Sequence, residues 1–490
     1  MTDGSSKSDK ALSREIGPLG AIATVVAGTL GAGVFVTLGT ASTTTGPSVT
    51  LIIAVTGLIA MAIAVNYSWL ATIFPASGST YSYISRVYRN RLGGFFGTWS
   101  LWLGYMAAVA VVALGFGSYL QVFVPGISQQ YAAIGLITVL FLINLLGAQK
   151  YSTSQNIIFI LLLLSISVLI VPGTFQVNPE NFTPFFTGNL EGAFAAAVPL
   201  FYAYLGIAVA GDIGAEVKNP SRNLPLAMVG GTLILIALYM WTSLVIYGEV
   251  TDYHVLANSD RPLSTAASTF LGPKATGFVA FGGLLATASS VNAVMAAATK
   301  LPYCWSWDEV FFTKFSEVNS RWRTPHWSLF TLFVVSVGLT FWSKGLDRVI
   351  AISTMSYLIA YGMTSFTAIY LYVKKPNLKK KAGFNPGWKI YVSGILGVGG
   401  SILLISQAYQ DALIIYIPWL AVGLVIFGAY WYHGKKKDVD VDVILDTLPG
   451  VPTEEYDPEI GEDKLKEDSE TTKDTYMNTS HNQPGRHEGK

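Results

Sequence analysis

The groups able to do chemistry in this 490-residue chain lie inside apolar stretches, and their types favour binding over bond making. The stretch Gly28-Thr29-Leu30-Gly31-Ala32-Gly33-Val34-Phe35 carries three glycines within six positions. Each costs about 1 kcal/mol against alanine in a helix interior, so an unbroken helix is disfavoured here. At membrane depth, non-helical backbone survives only where it is buried in protein or lines a watery cavity. A half-helix starting near Gly31–Gly33 would present free N–H groups at the positive end of its dipole, which suits a carboxylate. A second break is expected around Gly206 in the stretch from Phe201 to Asp212. The helix ends at Ala27–Leu30 and Phe201–Tyr204 would then leave carbonyls free to accept from an ammonium group. Donors for a carboxylate beside acceptors for an amine match the backbone of an α-amino acid, with no charged side chain required. The binding candidates are Thr29, Gly31, Ala32, Gly33, Tyr202, Tyr204, Gly206 and Ile207.

Two further groups are candidates for an ion and a gate. In Ala286-Thr287-Ala288-Ser289-Ser290, positions 286, 289 and 290 share one helical face. The hydroxyls of Ser289 and Ser290 with the carbonyls of Ala27, Leu30 and Ala286 would give sodium five oxygens; the alternative is that these serines bond to the carbonyl four residues back. Asp212 is the one clearly intramembrane ionisable residue, with Glu216 a turn further on. Such acids point to function, and the competing reading is that the pair closes an inner gate or neutralises nearby cations.

The elements that position these residues follow from composition. The chain is 51% hydrophobic and 12% charged, where soluble domains carry about 25% charged residues. Apolar segments fall at 17–43, 47–74, 93–124, 131–148, 153–173, 191–217, 224–248, 272–300, 325–343, 346–373, 388–407 and 412–433, numbered 1 to 12 below. Each is about long enough to span a bilayer. With the N-terminus inside, 19 Lys and Arg side chains before residue 434, and Lys435, Lys436 and Lys437 directly after segment 12, face inward, 22 in all, and four face outward (Arg261, Lys274, Lys344, Arg348), which fixes the orientation. Breaks in segments 1 and 6, five segments apart, predict an inverted repeat of about 17–173 and 191–373, with segments 11 and 12 outside it. The expected fold is an all-α integral membrane protein of 12 transmembrane helices in a 5+5 inverted repeat with discontinuous helices 1 and 6. Residues 1–16 form a cytoplasmic N-terminus and 17–433 the membrane domain. Residues 434–490, with 15 acidic and eight basic side chains, read as a disordered cytoplasmic tail.

Three motifs in these places carry a resemblance. Gly31-x-Gly33-Val34-Phe35, Pro75-x-x-Gly78-x-x-Tyr81-x-Tyr83 and Glu216-x-Lys218-Asn219-Pro220-x-Arg222-Asn223-x-Pro225 resemble signatures of the amino acid–polyamine–organocation (APC) transporters, with a looser match at Thr324-Pro325. The resemblance covers residue 14 to about 433 and implies a leucine-transporter-like fold with substrate held between the two breaks. By the same resemblance Tyr202 stands where some relatives place a gating aromatic. Trp99, Trp102 and Tyr105 of segment 3, with Ser353 and Tyr357 of segment 10, are expected to face the same cavity. Many relatives carry an acid two places after the segment 6 glycine; Ala208 here favours a neutral or apolar amino acid over a cationic one. Sodium-coupled relatives join segments 1 and 8 through an ion, whereas some proton-coupled ones put a segment 5 lysine there, and segment 5 has no lysine between Ser152 and Phe175.

The reading is therefore a secondary amino acid transporter of the plasma membrane, cation-coupled, with sodium favoured over proton. An exchanger, a channel or a nutrient sensor on the same fold is the alternative. Expected partners are the small-molecule substrate and the lipid bilayer, with a homo-oligomer left open and no cofactor besides Na+ as coupling ion. A nucleic-acid role is disfavoured by the charge balance. An enzyme is disfavoured by five scattered histidines, a lone Cys304, and the absence of metal-ligand spacing or a phosphate-binding loop.

Overall fold

The structure is a computed structural model, and it describes residues 11–31, 38, 45–187, 190–259, 261–341, 346–407, 411–436 and 441–452. Its regular elements are all helical apart from two isolated bridges, Ile16 to Val217 and Ser77 to Ile213. Eight described helices are long and apolar enough to cross a membrane: Gly46–Ile73, Arg91–Leu120, Ala148–Thr174, Gly192–Asp212, Pro220–Glu249, Pro273–Trp307, Val349–Lys374 and Lys389–Ser406. Four shorter apolar helices, Pro18–Leu30, Gln129–Leu145, His326–Thr340 and Tyr416–Tyr432, fall where segments 1, 4, 9 and 12 are expected. Helix is enforced throughout because lipid offers the backbone no other partner.

Segments 3 (Arg91–Leu120) and 8 (Pro273–Ala298) form the buried centre. Segment 10 (Leu346–Lys374) packs along segment 3, and segment 1 (Pro18–Leu30) lies against segments 8 and 5. Segments 11 and 12 are peripheral and expose Ile395, Ile402, Ile417 and Val425, as helices facing lipid do. Short helices follow two of the spans: Ser79–Val87 after segment 2, and Tyr253–Ala257 with Pro262–Phe270 after segment 7.

Segment 6 is broken as its glycine predicts. An α-helix runs from Leu190 to Tyr202, a turn follows, and tighter helical turns continue over Leu205–Ala208, Val209–Asp212 and Gly214–Glu216. In segment 1 the helix ends at Leu30, with Gly31 after it. Ala32 and Gly33 lie outside the described residues.

One expectation needs correction. The tail is not without structure from Gly434 onward: residues 441–445 form a helical turn, and Leu445, Leu448 and Val451 are buried against the membrane domain. Composition averaged over the tail hid a short apolar stretch whose partners lie far away in sequence.

Candidate functional site

The site is built where the C-terminal ends of two helices meet. The segment 1 helix runs to Leu30 and the outer helix of segment 6 to Tyr202. Gly206 brings the two ends together: a Cβ there would run into Thr29 Oγ1 and lie 3.0 Å from Thr29 Cα. Gly31 does the same toward segment 8, since a Cβ would overlap the Ala286 carbonyl and lie 2.7 Å from Thr287 N. Both glycines permit backbone approaches that no other residue allows.

Tyrosines brace this junction. The Tyr239 hydroxyl, from segment 7, lies 2.9 Å from the Ala203 carbonyl and 3.3 Å from that of Thr29, and so donates between the two helix ends. Tyr361 of segment 10 donates to the Leu205 carbonyl. Tyr204 donates to Ile53 O of segment 2 at 3.1 Å and packs edge-on against Tyr239. Some carbonyls that the sequence leaves for an ammonium group are thus held by phenols of the chain itself. Sequence reasoning missed Tyr239 and Tyr361. The available signal was a phenol inside an apolar run, since a buried tyrosine hydroxyl needs a partner.

Two predicted binding residues lie at this junction. Thr29 Oγ1 is buried and makes no hydrogen bond among the described residues, and the buried Tyr202 hydroxyl lies beside Ser353, whose own hydroxyl donates to Gly104 O at 3.0 Å. A buried polar atom such as Thr29 Oγ1 is uncommon, and a ligand's polar group would satisfy it. Ile207 is buried beside them, its N–H donating to Tyr204 O at 3.2 Å. Tyr105 and Tyr357 meet edge-on, with ring centres 5.0 Å apart. The two tryptophans expected at the cavity do not join this cluster. Trp99 stacks on Trp419 of segment 12 at 4.6 Å, each indole donating to the other's backbone carbonyl (2.7 and 2.9 Å), and Trp102 packs on Trp305 and Phe311. An indole N–H in an apolar surround takes whichever acceptor lies in reach, and that acceptor is on segment 12.

The serines of segment 8 face segment 1. Ser290 donates to the Gly28 carbonyl, one residue from the expected Ala27, and Ala286 O faces the Leu30–Gly31 turn. Ser289 Oγ accepts from Gln155 Nε2 of segment 5 at 2.8 Å. Gln155 Oε1 in turn accepts from Asn292 Nδ2 at 3.0 Å, and Asn292 Oδ1 from Asn144 Nδ2 at 2.8 Å. This amide chain links segments 4, 5 and 8 behind the sites expected for sodium. Among the described residues, no group of three or more His, Cys, Asp or Glu side chains is placed to hold a metal.

Asp212 and Glu216 make separate sets of contacts. Asp212 is buried and accepts from Ser79 Oγ at 2.6 Å and from the Tyr105 hydroxyl, tying segment 6 to the 75–83 loop and to segment 3. Glu216 pairs with Lys300 at 2.9 Å, both side chains buried. Its backbone carbonyl accepts from the N–H groups of Glu15 and Ile16, so the chain ahead of segment 1 runs along residues 216–218. The ion pair and this bridge tie the end of segment 6 to the helix after segment 8 and to the chain ahead of segment 1.

Removal of one hydroxyl tests the phenol brace. Tyr239→Phe leaves the packing intact but strips the donor shared by Thr29 O and Ala203 O, a loss of about 1–3 kcal/mol for buried acceptors. Uptake at unchanged protein abundance is expected to fall roughly tenfold or more. Wild-type uptake would show that these carbonyls find other donors.

A family model described as amino acid permease matches residues 16–431. The branched-chain amino acid permease BcaP of Bacillus subtilis is 27% identical over 445 residues, covering 86% of this chain and 94% of the relative. The methylthioribose transporter of the same organism is 26% identical, covering 82% and 90%, and its serine/threonine exchanger SteT is 26% identical, covering 88% and 98%. These relatives are transporters and not enzymes. With a match across nearly the whole membrane domain, and two helix ends meeting inside it, the chain belongs to the amino acid permease family.

Proposed function

We propose that this protein is a secondary active transporter that moves neutral or apolar amino acids across the plasma membrane by alternating access. The carrying observation is the meeting of the segment 1 and segment 6 ends at Gly206 and Thr29, where the buried Thr29 hydroxyl makes no hydrogen bond among the described residues. Substrate carboxylate would sit on the N–H groups beyond Gly31, its ammonium on carbonyls of the two helix ends, and its side chain near Tyr202 and Ile207. Segments 1, 2, 6 and 7 would rock against 3, 4, 8 and 9. A 5+5 inverted repeat within twelve spans is supported by the short helices after segments 2 and 7, which occupy corresponding places in the two halves. Both termini would be cytoplasmic.

Coupling is proposed to sodium, bound by Ala27, Leu30, Ala286, Ser289 and Ser290. One observation favours a second reading, exchange of one amino acid for another without a coupling ion: the Gln155 amide already donates to Ser289 Oγ. SteT is named as an exchanger, and BcaP as a permease for branched-chain substrates.

Counterflow and uptake of labelled leucine in proteoliposomes test the proposal. Leucine, alanine and phenylalanine are expected to compete better than arginine, lysine or methylthioribose; the reverse order would sink the neutral-substrate reading. Replacing sodium by potassium should lower uptake about tenfold, and Ser290→Ala should raise the sodium requirement. Uptake indifferent to sodium but accelerated by internal leucine would select exchange. Label that never accumulates against a gradient would mark a channel or a sensor.

A further inference from the structure

We propose that residues 441–452 are a plug seated in a groove across the inner gate, and that they must leave before the gate can open. The proposal deepens the alternating-access reading and rests on it for the need to open. Its occupant is part of this chain. Ile444, Leu445, Leu448 and Val451 are buried, although the tail around them is polar and acidic. Burial of four such side chains is a specific docking and not a solvated strand lying on the surface.

The polar contacts say what the plug holds together. Thr447 O accepts from Arg86 Nε at 3.2 Å and Nη2 at 2.9 Å, and Thr447 Oγ1 from Trp307 Nε1 at 3.1 Å. Asp446 pairs with Arg89 at 3.0 Å. Pro449 O accepts from the Ser77 N–H at 2.9 Å and Gly450 O from the Leu12 N–H at 3.0 Å. Gly450 has φ +83°, and a Cβ there would lie 2.9 Å from Ser77 Oγ and 3.0 Å from Ala215 Cβ. The plug therefore bonds at once to the chain ahead of segment 1, to the loop after segment 2, and to the helix Lys300–Trp307 that extends segment 8. Segments 1 and 2 would move in the proposed cycle and segment 8 would not. A strap that bonds to both sides opposes their separation.

Tethering makes such a device reversible. Only residues 437–440 separate the helix Asp411–Lys436 from the plug, and a short tether gives a local concentration on the order of millimolar. A weak docking contact is then occupied most of the time, and still opens without unfolding anything else.

Cys304 supplies a reporter. It is the only cysteine of the chain, is buried in the helix Lys300–Trp307, and its Sγ would lie 2.7 Å from a Cβ placed on Gly78. It becomes reachable when the loop after segment 2 parts from that helix. The test is the rate of maleimide labelling of Cys304 in the purified full-length protein in nanodiscs, against Leu448→Asp and a chain ended after residue 440. Both variants are expected to label about tenfold faster, the shift given by losing ~1.4 kcal/mol of docking. A synthetic peptide of residues 441–452 should slow labelling of the shortened chain again, and the same peptide carrying Leu448→Asp should not. Wild-type labelling rates in both monodisperse variants, or faster labelling that the peptide does not slow, would overturn the plug. Labelling involves no substrate: if it behaves as expected while the wild type never accumulates leucine, the plug stands and the carrier reading falls.

Discussion

Replacing Gly31 by leucine is expected to abolish transport while the protein still reaches the membrane. The reason is backbone contact. A Cβ on Gly31 would overlap the carbonyl carbon and oxygen of Ala286 and lie 2.7 Å from Thr287 N, and none of these atoms can swing aside as a side-chain end would. Segment 1 must lift off segment 8, and its C-terminal carbonyls move with it. The sequence alone suggests that a side chain here fills the space of the substrate carboxylate; the structure places the collision on segment 8. A graded series separates the two. Alanine adds only the Cβ, so a loss of roughly a hundredfold, ~2.7 kcal/mol, already at Gly31→Ala is the mark of the helix contact. Wild-type uptake in the alanine variant with loss only at leucine would restore the substrate-space reading. The measurement is leucine counterflow, normalised to membrane abundance.

Arg86→Met is expected to be the most destabilising single change in the cluster around Asp308. Arg86 and Asp308 are both buried, and the guanidinium meets the carboxylate through two bonds, with Nη2 2.7 Å from Oδ1 and Nη1 on Oδ2. Tyr81 donates to the same carboxylate at 2.7 Å, and Arg91 to the Asp308 backbone carbonyl at 2.7 Å. Burial works against the charge on Arg86, but Asp308 more than offsets it and holds the guanidinium pKa above its ordinary value. Removing the cation strands a buried carboxylate, which costs about 3–5 kcal/mol. Thermal unfolding followed by size exclusion should show a clear fall for Arg86→Met. The double variant Arg86→Met/Asp308→Leu should recover much of it, because both charges are then gone. Arg86 also holds Thr447 O, so the chain ended after residue 440 is the control. If that chain is as unstable as Arg86→Met, the loss belongs to the plug and not to the ion pair.

Where the helices lie, and that segment 6 breaks, was legible from local sequence. Lipid leaves the backbone only internal partners, so a run of some twenty apolar residues is a helix whatever surrounds it, and Gly206 in such a run marks an interruption without reference to any neighbour. The motifs at 75–83 and 216–225 were legible for the same reason, since prolines and glycines act on their own backbone. The partners of the broken ends are set by long-range packing. Ala203 O is held by Tyr239, 36 residues on, and Leu205 O by Tyr361, 156 residues on. A free carbonyl at a helix end is a local fact, but the donor that answers it depends on which helix packs there. Trp99 and Trp102 turned toward segment 12 and Phe311 for this reason, and Ser289 met Gln155. Residues 441–452 carry the lesson furthest. Four apolar side chains in an acidic tail say little until a groove lined by residues from the far end of the chain gives them somewhere to be buried.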